Sequence, residues 1–206
     1  AWFQLAVIVS SDRRIKTNIE DVPDNLALQY VRDIPCRYYE YKDKTKKGTS
    51  KTIGFIAQEV AEVFPMAVTK QKGIIPDHMK MGEVVFVENP LADPEKPEEK
   101  SGFTMTVANL NDDVVPGTKV KFIMVNGTPA VVDEEGKITQ AASEDHKEEE
   151  KELIMNEDGS FTTEEKYNAV MIYGREVDDF HTLDKQKIFA LHHSAIQELD
   201  RTVEAQ

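Results

Sequence analysis

A serine and a lysine five residues apart are where this sequence offers chemistry. The run Ser10-Ser11-Asp12-Arg13-Arg14-Ile15-Lys16 follows directly on an apolar stretch from Trp2 to Val9. A serine hydroxyl is a poor nucleophile until a neighbouring base takes its proton. Lysine serves as that base only when burial or nearby positive charge lowers its pKa. Arg13 and Arg14 supply positive charge, and folding or assembly would supply the burial. Spacing alone does not separate such a Ser–Lys dyad from an ordinary surface loop.

Other chemistry is scarce. The sequence has no Walker loop, dinucleotide fingerprint, His-Glu-x-x-His or Gly-x-Ser-x-Gly. His192 and His193 are adjacent on a predicted helix and point in different directions, so they read as a seam and a surface residue, and no metal or other cofactor is expected. Cys36 is the single cysteine, which leaves no disulfide framework. The formal net charge is −13. That excludes a phosphate-backbone grip and an anionic-membrane hold, so neither nucleic acid nor membrane is an expected partner.

The elements that must position these residues fall into zones. Phe3–Val9 reads as a strand that ends an upstream stalk or fibre (1–10), and the sequence as a C-terminal piece. Residues 11–80 read as a mixed α/β core. Asp24 or Asn25 would cap a helix to Arg32, with Leu26, Tyr30 and Val31 on one face. Cys36–Tyr41 and Thr52–Ala57 would form a hairpin around a Lys-rich loop, and Gln58–Phe64 a helix ended by Pro65. Residues 81–175 read as an inserted antiparallel β subdomain, a small sandwich or barrel of short strands punctuated by turns. Between Asp133 and Glu165 stand 13 acids against three lysines, and Lys147–Glu152 there reads as a solvated loop. Residues 176–206 read as a closing helix, helical from Phe180. Phe189, His192, Ile196, Leu199 and Val203 repeat there at three and four, as a and d positions of a heptad; Ile188, Leu191 and Ala195 widen the stripe. An amphipathic core helix is the alternative. The fold class is α+β.

Two motifs in order sharpen this reading. Ser11-Asp12-Arg13-Arg14-Ile15-Lys16-Thr17-Asn18-Ile19 resembles the Ser-Asp-x-Arg-(Leu/Ile)-Lys-x-x-Ile signature of the C-terminal chaperone domain of phage endosialidases, tail spikes and neck appendages, also found in myelin regulatory factors. Tyr38, Tyr41, then Gly54-Phe55-Ile56-Ala57-Gln58-Glu59-Val60 and Phe64-Pro65 resemble that family's second element. Residues 177–206 resemble its closing helix. Residues 81–175 have no counterpart in the pattern.

The resemblance implies a homotrimeric intramolecular chaperone with a coiled-coil tail. It would promote assembly of an upstream fibre or spike domain of the same polypeptide, then cut itself off. The cut falls between Ser10 and Ser11, with Ser11 as nucleophile and Lys16 as general base. Ser10 is the alternative nucleophile, although no Asp follows it. Asp12 and Arg14 match the motif without an assigned role, while Gln58 and Glu59 would support the dyad from a helix N-terminus. The setting implied is a virion structural protein assembled in the host cytoplasm. An alternative keeps the trimer and leaves the dyad silent, as a module that binds a receptor or another virion protein.

Overall fold

The computed structural model describes residues 11–89, 102–129, 131–132 and 138–206. The expected strand Phe3–Val9 and the cleavage-site residue Ser10 lie outside them. From the N-terminal side run a 3₁₀ turn at Arg13–Ile15, helix α1 (Asp24–Asp33), strand β1 (Arg37–Tyr39), the one-turn helix α2 (Lys44–Lys47), β2 (Thr52–Gly54), α3 (Ala57–Val63) and a 3₁₀ turn at Pro65–Ala67. There follow β3 (Val68–Ile75), β4 (Lys80–Met81), β5 (Val84–Glu88), β6 (Phe103–Val107), β7 (Lys119–Asn126) and β8 (Val131–Val132). Then come β9 (Ile138–Gln140), β10 (Lys147–Ile154), β11 (Phe161–Thr163), the long β12 (Ala169–Leu183) and α4 (Lys185–Glu204). The chain is α+β and divides into two compact units.

The first unit holds the described residues through Pro35, then Gln58–Val68 and Leu183–Gln206. Its frame is α1 against α4. Ala27 and Leu28 of α1, Val60 of α3, and Ile188, Leu191 and Ala195 of α4 are its buried apolar residues, with Ile34 and Ala67. Tyr30 and Phe64 stack at 5.6 Å. Neither Asp24 nor Asn25 caps α1. The helix starts at Asp24 behind Pro23, which makes no side-chain cap bond. The Asp24 carboxylate accepts instead from Ser194 Oγ and Arg201 of α4, and those bonds hold it below the usual carboxylate range. Leu26 is exposed, while Ala27 and Leu28 carry the buried side of α1.

The second unit holds Cys36–Ala57 and Thr69–Thr182. β1 and β2 pair antiparallel, with Tyr38 opposite Ile53. A sheet in the order β10-β7-β12-β3, with β4 also on β12, faces a three-stranded sheet β11-β6-β5. Alternation at period two drives the sandwich. Val120, Phe122 and Met124 of β7, with Val170 and Ile172 of β12, point inward to meet Met105, Val107 and Phe161. The Phe122 and Phe161 rings meet edge to face at 5.0 Å.

Three expectations change here. Lys147–Glu152 is a strand, part of β10, and not a loop. Its carboxylates are answered across and along the sheet: Lys121 Nζ lies 2.6 Å from Glu150, Lys119 Nζ 3.8 Å from Glu152, and Lys151 Nζ 3.3 Å from Glu149. Phe180–Leu183 is strand as well, because β12 runs on beside β3 and α4 begins only after Asp184, whose carboxylate accepts from the N–H groups of Gln186 and Lys187. The Lys-rich loop contains α2, started by Asp43. Asp43 is 6% exposed. Its carboxylate accepts from Lys46 N–H at 3.0 Å and from Tyr173 Oη at 2.9 Å. Those two bonds, the first the larger, hold it below its ordinary pKa.

Phe161→Ala empties the centre of the sandwich and is expected to destabilise the second unit by about 3–5 kcal/mol. Denaturant unfolding followed by near-UV circular dichroism measures this. A loss under about 1 kcal/mol would mean that Phe161 does not organise that core.

Candidate active site

Ser11 and Lys16 are held at the two ends of a single turn. Asp12 is extended (φ −63°, ψ 135°) and its side chain accepts from Arg14 N–H, which starts the 3₁₀ turn Arg13–Ile15. Ile15 N–H donates to Asp12 C=O at 3.2 Å and Lys16 N–H to Arg13 C=O at 3.1 Å. The compact turn lies between the two residues, with Ser11 before it and Lys16 leaving it extended. Lys16 Nζ then lies 2.6 Å from Ser11 Oγ. With the amine charged, Nζ donates to the hydroxyl oxygen. With it neutral, the hydroxyl donates to Nζ, which is the polarity a general base needs.

Asp12 and Arg14 lock onto each other beside that contact. Arg14 Nε lies 3.0 Å from Asp12 Oδ1, and Nη2 lies 2.7 Å from Oδ2. The Arg14 guanidinium, and after it the Arg14 backbone N–H, hold the Asp12 carboxyl below its usual range. Asn18, two residues past Lys16, has φ +50°.

Among the described residues of the single chain, nothing shields this segment. Every residue from Ser11 to Val22 is exposed, Ile15, Ile19 and Val22 included. Gln58 and Glu59 open α3; Gln58 is exposed and Glu59 half-buried. Among the described residues no hydrogen bond joins Gln58 to Ser11 or Lys16. On α4, Ile188, Leu191 and Ala195 turn inward, while the adjoining face leaves Phe189 60%, Ile196 63%, Leu199 46% and Val203 70% exposed. His192 on that face is half-buried. Among the described residues no group of three or more His, Cys, Asp or Glu is placed to hold a metal ion. No described helix is long and apolar enough to cross a membrane.

Comparison with known proteins places one segment of the chain. Residues 11–69 match the family described as the chaperone of endosialidase. It is a family of self-cleaving peptidases. The chaperone-of-endosialidase match begins at Ser11 and takes in the turn, the hairpin and α3; the closing helix lies beyond it. An uncharacterized protein VP1 of Micromonas pusilla reovirus (isolate Netherlands/2005) is 32% identical over 221 aligned residues, 96% of this chain. That alignment takes in the second unit as well, so the part without counterpart in the chaperone pattern does have one there. The chain spans only 12% of that relative's length.

The polar group that sequence reasoning missed is Asp43. An Asp before Lys-Thr-Lys-Lys and Gly48 is a cap signal, but its partner Tyr173 lies 130 residues on.

The turn carries its own pH dependence. Asp12 is depressed in the folded chain, so its bonds to Arg14 are present above the ordinary aspartate value of about 3.9. They are lost only as pH falls through the lower folded value. Side-chain carboxyl NMR titration is expected to put Asp12 below about 3.9; a midpoint at or above that value would contradict the Asp12–Arg14 pairing.

Proposed function

We propose that this chain is the self-releasing intramolecular chaperone of a longer trimeric viral structural protein. Its upstream part would assemble first, and a cut between Ser10 and Ser11 would then free the chaperone. The observation that carries the reading is the 2.6 Å contact of Lys16 Nζ with Ser11 Oγ, in the segment where the chaperone-of-endosialidase match begins. The family and the viral relative support a virion-associated setting.

The chemistry is an acyl shift followed by hydrolysis. Lys16 accepts the Ser11 hydroxyl proton as Oγ attacks the carbonyl carbon of Ser10. The C–N bond between Ser10 and Ser11 breaks, and the proton passes to the leaving amine, which becomes the new N-terminus of Ser11. The ester between the Ser10 carbonyl and Ser11 Oγ is then hydrolysed by water to the Ser10 carboxylate and the free hydroxyl. No cofactor enters.

Three copies supply the assembly. Phe189, His192, Ile196, Leu199 and Val203 would meet around a threefold axis as a short coiled coil, while Ile188, Leu191 and Ala195 stay inside each copy. Ile15, Ile19 and Val22, exposed in the single chain, would be covered in the same event. Burial there would lower the proton affinity of an amine at the site.

Ser11→Ala and Lys16→Ala are each expected to abolish the cut without unfolding the chain, since both side chains are exposed and leave no core cavity. Mass spectrometry of freshly expressed protein with native upstream sequence reads the outcome. A Ser11 N-terminus appearing at the wild-type rate in Lys16→Ala would rule out the dyad. Ile196→Asp would crowd three carboxylates at the axis and should give a monomer in sedimentation. A trimer persisting in that variant would remove the coiled coil.

A further inference from the structure

We propose that Asp12 and Arg14 are positioning residues: their fork-shaped ion pair sets the turn that keeps Lys16 Nζ on Ser11 Oγ. The inference rests on the self-cleavage reading and deepens it.

The segment has little else to hold it. In the single chain the turn buries no residue and every residue from Ser11 to Val22 is exposed, so packing within one copy does not fix its shape. A three-residue 3₁₀ turn is marginal by itself in water. Its two backbone bonds, at 3.1 and 3.2 Å, would open readily. What locks it is Asp12, whose carboxylate spans the turn. Oδ1 accepts from Arg14 N–H at 2.8 Å and from Nε at 3.0 Å, and Oδ2 accepts from Nη2 at 2.7 Å. One carboxylate thus ties the start of the turn to the main chain and the side chain of its middle residue. Ser11 immediately precedes this lock, and Lys16 follows the turn. Fixing the span between Asp12 and Arg14 therefore fixes how the two reacting side chains approach each other.

The pairing also separates Arg14 from Arg13. A guanidinium matched by a carboxylate adds no net charge beside Lys16, whereas among the described residues of the turn Arg13 has no such partner. Arg14 thus acts through geometry. Lysine would keep the charge but not the planar fork.

The test compares cutting rates of the 206-residue chain, read as the appearance of the Ser11 N-terminus by mass spectrometry. The variants are Asp12→Ala, Arg14→Ala, both together, Arg14→Lys and Lys16→Ala. A misplacement of about 1 Å costs about a hundredfold in rate, so each Ala variant is expected to slow the cut by about that factor. The double variant should be no slower than either single one, because both remove the same lock. Arg14→Lys should be as slow as Arg14→Ala, with the thermal melting curve unchanged in all variants. Added methylamine should speed cutting in Asp12→Ala and in Lys16→Ala alike, since a diffusing base needs no turn. Wild-type rates in Asp12→Ala and Arg14→Ala, with Lys16→Ala inactive, would overturn the positioning role and leave the dyad standing. Cutting by Lys16→Ala at the wild-type rate would instead sink the dyad. The nuclear Overhauser contact between Ser11 Hβ and Lys16 Hε protons gives a readout independent of cutting. Its loss in Asp12→Ala supports the lock, and its persistence there overturns it.

Discussion

A serine and a lysine in contact on a wet surface define the central constraint. A lysine amine must be near its serine to act as a base, and it must also be neutral. Nearness is a local property: one 3₁₀ turn supplies it between Ser11 and Lys16. Neutrality is not local, because lysine amines lose their proton near neutral pH only when water is excluded or another cation is close. The single chain leaves residues 11–22 open. In the proposed mechanism the missing ingredient is another copy of the chain. The exposed apolar residues of the signature segment and of α4 are the surface available to recruit it. In that mechanism activity and assembly would be linked by solvation alone.

The second unit obeys a different logic. Its sandwich is held by period-two burial, and in β10 lysines lie beside Glu149, Glu150 and Glu152. Lys121 and Lys46 both reach Glu150 and, with Lys121 the larger influence, hold it below its usual range. The same two lysines lie 5.1 and 5.3 Å from the centroid of the Tyr173 ring. Burial, and then its bond to Asp43, push the Tyr173 phenol up. The short helix inside the β1–β2 connection is thus tied to β12 through a largely buried polar contact. A signature element of the chaperone family and the β-rich part of this chain are built into one another.

Legibility followed the range of the interactions. The hairpin of Tyr38 and Ile53 and helix α3 are set by neighbours within a few residues, and their positions could be read from the sequence. The face of α4 was readable too, since Phe189, Ile196, Leu199 and Val203 fall on one stripe by spacing. What could not be read depended on distant partners. The run holding Glu150 and Glu152 looks solvated until Lys121 and Lys119 are placed beside them. Asp24 looks like a cap until Ser194 and Arg201 claim its carboxylate. Phe180–Leu183 scans as the start of a helix until β3 pairs with it. The part proposed for Asp12 and Arg14 rests on side-chain geometry, which a motif records without explaining.

The most direct measurement is a time course of cutting at the Ser10–Ser11 bond in monomeric and trimeric fractions of one preparation carrying native upstream sequence. The trimer is expected to cut and the monomer not, and raising the pH is expected to restore some cutting to the monomer. Equal rates in the two fractions would contradict the link between assembly and activity, because the active site would then be complete within a single chain.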